Sequence, residues 1–131
     1  MSSFILTPQK VQKAQGVINK YLINEGVVKV MLVDDGGNIL IDCGESSQIT
    51  DTTSLAALTA ANFGATAQIA GLIGEKDFSL LFHKGENLSI HFAKIGRELI
   101  MVSIFGEDVS LGLIRCRVNG LAEPLRKLFE G

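Results

Sequence analysis

From Thr52 to Gly74 the chain runs for 23 residues, TTSLAALTAANFGATAQIAGLIG, without a charged side chain or a histidine. Leu55, Leu58, Asn62, Ala65, Ile69 and Leu72 recur there at spacings of three and four, which puts them on one side of an α-helix. Ala57, Ala60, Gly64, Ala67 and Gly71 form a second stripe on nearly the opposite side. A helix with one bulky face and one small-residue face offers water nothing and has to be covered twice. The bulky stripe is expected on the domain's own sheet, and the small stripe is expected to admit a second helix from another protein molecule. Two alternatives are burial of both faces within one domain and a membrane span. The length is near the roughly 20 residues that a span needs. Asn62, Gln68, Ser54 and four threonines (Thr52, Thr53, Thr59, Thr66) speak against a span, as does the lack of a basic flank. No membrane insertion is expected.

At 131 residues the chain fits a single domain, 1–131, with a real core. Twelve basic against 14 acidic residues leave a net charge of −2, so there is no excess of cations to neutralise phosphates. Tryptophan is absent, and the phenylalanines sit mainly in apolar runs rather than on a stacking surface. Nucleic acid is therefore excluded as a partner. The start, MSSFILTPQK, has no basic segment followed by a long apolar run, so no signal peptide is expected. Cys43 and Cys116, the only cysteines, are 73 residues apart and read as reduced thiols of a cytoplasmic protein.

Thr7-Pro8 predicts a helix start, with Thr as cap and Pro where its missing N–H costs nothing. Val11, Ala14, Ile18, Tyr21 and Leu22 mark its apolar face, and Asn24-Glu25-Gly26 ends it. Val27 to Val33 (VVKVMLV) reads as a strand covered on both faces. Asp34-Asp35-Gly36-Gly37-Asn38 predicts a hairpin turn into a return strand, Ile39 to Cys43. A polar loop then leads to the charge-free helix, capped by Asp51 or Thr52. Phe78, Leu80 and Phe82 alternate as in a strand, as do Leu88, Ile90 and Phe92. Those two sets share one face only if the loop between paired residues is odd in length, so a three-residue or bulged turn is expected. Leu99 to Phe105 is a further doubly covered strand. A helix from about Val109 to Phe129 follows, kinked rather than stopped at Pro124. The fold class is therefore α+β, in α/β/α layers. A five-stranded antiparallel sheet carries helices on both faces, one on one side and two on the other, in the order α-β-β-α-β-β-β-α.

Catalytic chemistry is not signalled. His83 and His91 lie in a Phe-rich hairpin and read as half-buried, hydrogen-bonded residues rather than metal ligands. Asp34, Asp35 and Asp42 read as turn residues beside Gly36-Gly37. No serine sits in a G-x-S-x-G turn, and neither a Walker A sequence nor G-x-G-x-x-G is present. No catalytic residue, metal or cofactor is expected, and the chain is not expected to be an enzyme.

The element order and several motifs together resemble the roadblock/dynein light chain family over about Pro8 to Phe129. The motifs are Leu55-Ala56-Ala57-Leu58, Ala60-Ala61-Asn62, Ala65-Thr66, Leu72-Ile73-Gly74-Glu75, Phe78, His83-Lys84-Gly85-Glu86-Asn87, Gly96, the Leu99 to Phe105 strand and Leu111-Gly112-Leu113-Ile114-Arg115. Within that family the chain is most similar to the bacterial mutual gliding-motility branch. The resemblance implies a roadblock/profilin-like fold and a homodimer in which third strands pair edge to edge and central helices lie side by side. The expected dimer interface is Ala57, Ala60, Gly64, Ala67, Gly71, Phe78, Leu80 and Phe82. It further implies a cytoplasmic regulator of a small Ras-like GTPase, of the kind tied to motility and cell polarity. Such a protein presses its partner's switch regions into place and inserts no arginine finger. Ala61, Gly64, Ala65 and Gln68 are the candidate GTPase contacts: small side chains leave the backbone accessible, and Gln68 offers both donor and acceptor. Ala61 and Ala65 could instead fill space above the sheet. Members of that branch can carry a tail past the last helix that contributes to nucleotide exchange. This chain ends at Gly131, so no exchange-promoting role is expected. A non-catalytic scaffold and a small-ligand sensor domain are the alternative functions.

Overall fold

The structure, a computed structural model, describes residues 6–76 and 78–131. Helix α1 (Pro8–Tyr21) opens as expected, with the Thr7 hydroxyl accepting the Lys10 N–H and Pro8 in the first turn. A short 3-10 turn (Ile23–Glu25) leads through Gly26 into β1 (Lys29–Asp34), β2 (Ile39–Cys43) and α2 (Thr52–Leu72). Strands β3 (Leu80–Lys84), β4 (Leu88–Lys94) and β5 (Leu99–Gly106) precede α3 (Leu111–Glu130). The strands form one antiparallel sheet in the order β2-β1-β5-β4-β3, which leaves β2 and β3 at its edges.

Helices α1 and α3 cover one face, over a core that includes Ala14, Ile18, Leu22, Leu32, Met101, Ile114, Val118 and Leu125. Helix α2 alone covers the other, over Met31, Val33, Phe92, Ile100, Val102 and Ile104. The central strands β1 and β5 are thus apolar on both sides, which is why their sequences do not alternate. Asp34 is buried at the end of β1, where its carboxylate accepts the N–H groups of Gly36 (3.0 Å) and Asn38 (2.8 Å) and the Asn38 amide. That is the work of a turn residue. Gly37 in the same turn has φ +87°, and a Cβ there would sit 3.1 Å from the Ala57 backbone of α2. Lys29 is buried too, paired with Asp42 at 2.6 Å and donating to the Gly44 carbonyl.

At the β3–β4 hairpin the expected register is corrected. Lys84 pairs with Ser89 and Phe82 with His91, so an even number of residues separates paired positions. Phe82 consequently lies on the α1/α3 side, its ring stacked 6.2 Å from Phe105. Leu88, Ile90 and Phe92 lie under α2 together with Leu81. The physical reason is that β3 is apolar at both parities: Leu81 can fill the α2 side as well as Leu80 or Phe82 could. Gly85 sets the turn. Its N–H donates to the Leu88 carbonyl at 3.0 Å, and a Cβ would fall 2.3 Å from that oxygen.

Helix α3 starts two residues later than expected, where the Ser110 hydroxyl accepts the Leu113 N–H at 3.1 Å. It runs through Pro124, with open space at the Cβ position of Gly120 four residues earlier. At its end, Glu130 accepts the N–H groups of Arg97 (3.0 Å) and Glu98 (3.1 Å) in the β4–β5 turn.

Candidate interaction surface

Helix α2 begins where Asp51 accepts the Ser54 N–H at 3.0 Å, and its hydrogen bonds from Ser54 hold the Asp51 carboxyl below its usual range. The side that meets the sheet is Ala56, Thr59, Phe63 and Ala70. This corrects the expected orientation, which put the Leu55-to-Leu72 stripe inward. Leu58 is 67% exposed, Ile69 52% and Leu72 87%; only Leu55 of that stripe's large aliphatics packs against the core beneath the helix. The sheet supplies the bulk here, from Met31, Ile100 and Phe92, so the helix meets it with alanines and one anchoring ring. Phe63 sits edge-on to Phe92 at 6.4 Å. Thr59 satisfies its buried hydroxyl by donating to the Leu55 carbonyl at 2.8 Å.

What α2 presents outward is therefore both stripes. Ala57, Gly64 and Gly71 are exposed, while Ala60 and Ala67 are half-buried at the boundary with the sheet. Ala61, Ala65 and Gln68 are exposed beside Gly64 on the side away from the sheet, so Ala61 and Ala65 do not fill space above it. Leu58, Ile69 and Leu72 flank them and were missed as surface residues. The signal that could have found them is the side opposite Phe63, the one large aromatic of the helix. By length and composition α2 could cross a membrane; in this fold it is the cover of one sheet face.

Strand β3 is the adjoining edge. It pairs only with β4, Leu80 is 39% exposed, and Phe78 and Phe82 are half-buried. Among the described residues no strand faces its outer backbone groups, and few charges guard them, a combination that invites pairing.

The roadblock/LC7 domain family model matches residues 13–105, more than half of the chain. The chain belongs to the roadblock/LC7 family. MglB from Myxococcus xanthus is 36% identical, with a TM-score of 0.81 over 88% of this chain and 94% of that one. Gliding protein MglB from Thermus thermophilus is 26% identical, at 0.90 over 99% and 98%. A structure described as MglB with tetrameric arrangement is also 26% identical, at 0.91 over 99% and 97%. A Schizosaccharomyces pombe profilin, 17% identical at 0.64 over 87% and 97%, shares the fold alone. No curated protein sequence matches.

Elsewhere in this roadblock domain, no group of three or more metal-ligating side chains occurs among the described residues. The reading of both histidines as half-buried and hydrogen-bonded is corrected. His83 is exposed, its ring edge-on to Phe92 at 5.5 Å. His91 is buried, and neither ring nitrogen has a hydrogen-bonding partner among the described residues; the same holds for the hydroxyl of Ser103, its register partner on β5. Burial first, and then the charge of Arg115, pushes the His91 ring below its ordinary value of 6.5. Above that pH the ring is neutral both folded and unfolded and adds no pH dependence. Below it the unfolded chain takes the proton first, so stability should fall until the pH passes the lower folded value. Denaturant titrations between about pH 7 and 5 should therefore show a slope that His91→Gln flattens; an unchanged slope would assign it to other groups.

Proposed function

We propose that this roadblock domain is a cytoplasmic homodimer that regulates a small Ras-like GTPase. The observation that carries the reading is the uncharged outer side of α2, which continues onto the open edge of β3. A second copy suits that surface: two β3 strands can extend the sheets into one, which brings the α2 helices alongside each other. Ala57, Ala60, Gly64, Ala67 and Gly71 then form the small-residue contact, with Leu58, Ile69 and Leu72 closing around it. Phe78, Leu80 and Phe82 lie at the paired strands, where Phe82 contributes backbone and its ring stays on Phe105.

The GTPase belongs on the outward backbone and side chains of Ala61, Gly64, Ala65 and Gln68. Helix α2 carries no arginine or lysine between Thr52 and Leu72, so this surface has no cation to place against a transferring phosphate. Any acceleration of GTP hydrolysis has to come from positioning the partner's own catalytic groups. A scaffold without effect on hydrolysis would use the same surface, and turnover by candidate GTPases with and without this protein separates the two. Ala61→Arg with Gln68→Arg should abolish GTPase capture through bulk and unpaired charge while leaving the fold intact. Capture at the wild-type level by the folded double mutant would exclude this surface.

A further inference from the structure

The charge of this chain is unevenly spread, and its cationic part lies on the sheet face that α2 leaves free, independent of the regulatory reading. Helix α1 carries Lys10, Lys13 and Lys20 and no Asp or Glu. Helix α3 adds Arg115, Arg117, Arg126 and Lys127 against Glu123 and Glu130. The two helices thus hold seven of the 12 basic side chains and two of the 14 acidic ones. They are cationic on a chain whose remainder, like its total, is acidic. Their carboxylates are also engaged. Glu123 pairs with Arg126 at 2.6 Å, and Glu130 accepts the Arg97 and Glu98 N–H groups. Among the described residues Lys13 and Lys127 take part in no ion pair, and both are exposed.

Those two lysines border an apolar groove between the helices. Val17 of α1 and Pro124, Leu125 and Leu128 of α3 line it, around a volume of about 370 Å³. That is at the small end of the roughly 300–1,000 Å³ typical of ligand-holding clefts, so it suits side chains of a bound segment. Leu125 is buried, whereas Val17 and Leu128 are half-buried and Pro124 is exposed.

We propose that this groove docks an acidic segment of another protein. Its aliphatic side chains would seat between α1 and α3, and its carboxylates would meet Lys13 and Lys127. Apolar contact at the centre with charge at the rim is the common anatomy of protein interfaces. The surplus of cations along both helices steers a negative partner in and repels a positive one. A bilayer fits less well, because its surface is flat and cannot enter a groove between two helices.

The test selects random short peptides displayed on phage against the full chain and counter-selects against Lys13→Glu with Lys127→Glu. Both positions are exposed, so the double variant should keep the wild-type circular dichroism. Peptides that combine Asp or Glu with Leu, Ile or Val should be enriched. The best of them, as a free peptide, should shift the Val17 and Leu128 methyl NMR signals saturably. Its affinity should fall at least about tenfold in the double variant. It should also weaken between about 0.1 and 1 M salt, as the Debye length shrinks to about 3 Å. Lys76→Glu with Lys84→Glu makes the same change of charge at exposed positions outside the groove and should bind like wild type. The proposal is overturned if the selected peptides are not acidic, if serine in place of their aliphatic residues leaves affinity unchanged, or if the control variant weakens binding equally. Vesicles of phosphatidylglycerol and phosphatidylcholine form a parallel arm. Co-sedimentation lost in the Lys13, Lys127 variant, with no acidic peptide emerging, would assign the face to a membrane and overturn the proposal too.

Discussion

Replacing Leu58 and Ile69 together by aspartate should turn the proposed homodimer into a folded monomer. Neither side chain belongs to the core on either face of the sheet, so the fold should lose little when they change. At a two-fold interface each position counts twice. Four aliphatic side chains would leave the contact, each worth about 1.5–3 kcal/mol when fully buried, and four carboxylates would face one another instead. Only part of that sum reaches the association equilibrium, yet a weakening of at least about a thousandfold is expected. Sedimentation of wild type and variant at micromolar concentration, with circular dichroism to confirm the helices, checks it. A variant that stays dimeric would move the interface off α2.

Phe63→Ala should cost about 3–5 kcal/mol of folding stability, the range for deleting a buried aromatic ring. This ring is the one large anchor of α2 on the sheet, packed edge-on to Phe92 in the core cluster that also holds Met31 and Ile100. The neighbouring contacts on that side of the helix come from Ala56, Thr59 and Ala70, which are too small to move in and close the cavity. Urea denaturation measures the loss directly. A cost under about 1 kcal/mol, well below the range for such deletions, would mean that α2 is held by its ends rather than by this ring.

Much of the architecture was legible because local chemistry and pattern agreed. Thr7-Pro8, Asp51 and the Gly36-Gly37 turn each mark a boundary by a specific backbone need, and the unalternating β1 and β5 announce helices on both faces. Two things were not legible, for one reason: a pattern orients an element only when its faces differ in polarity. On α2 both stripes are uncharged, and side-chain size alone pointed Leu58, Ile69 and Leu72 the wrong way. On β3 both parities are apolar, so the register was left to a turn geometry fixed by Gly85 and Leu88. The membership of the roadblock/LC7 family, by contrast, was readable from motifs along almost the whole chain.

The carboxylate of Glu130, which accepts two backbone N–H groups from the β4–β5 turn, makes the end of α3 a fixed reference point. Gly131 follows directly, on the sheet face that α2 does not occupy. A fluorophore or spin label attached there would stay clear of the surface where a second copy or a GTPase is proposed to sit. Because its attachment point moves with the body of the domain, label-to-label distances would report how two copies are arranged rather than how a loose end wanders. The same tie means that anything fused after Gly131 leaves the domain from one defined corner, so its reach can be counted from there.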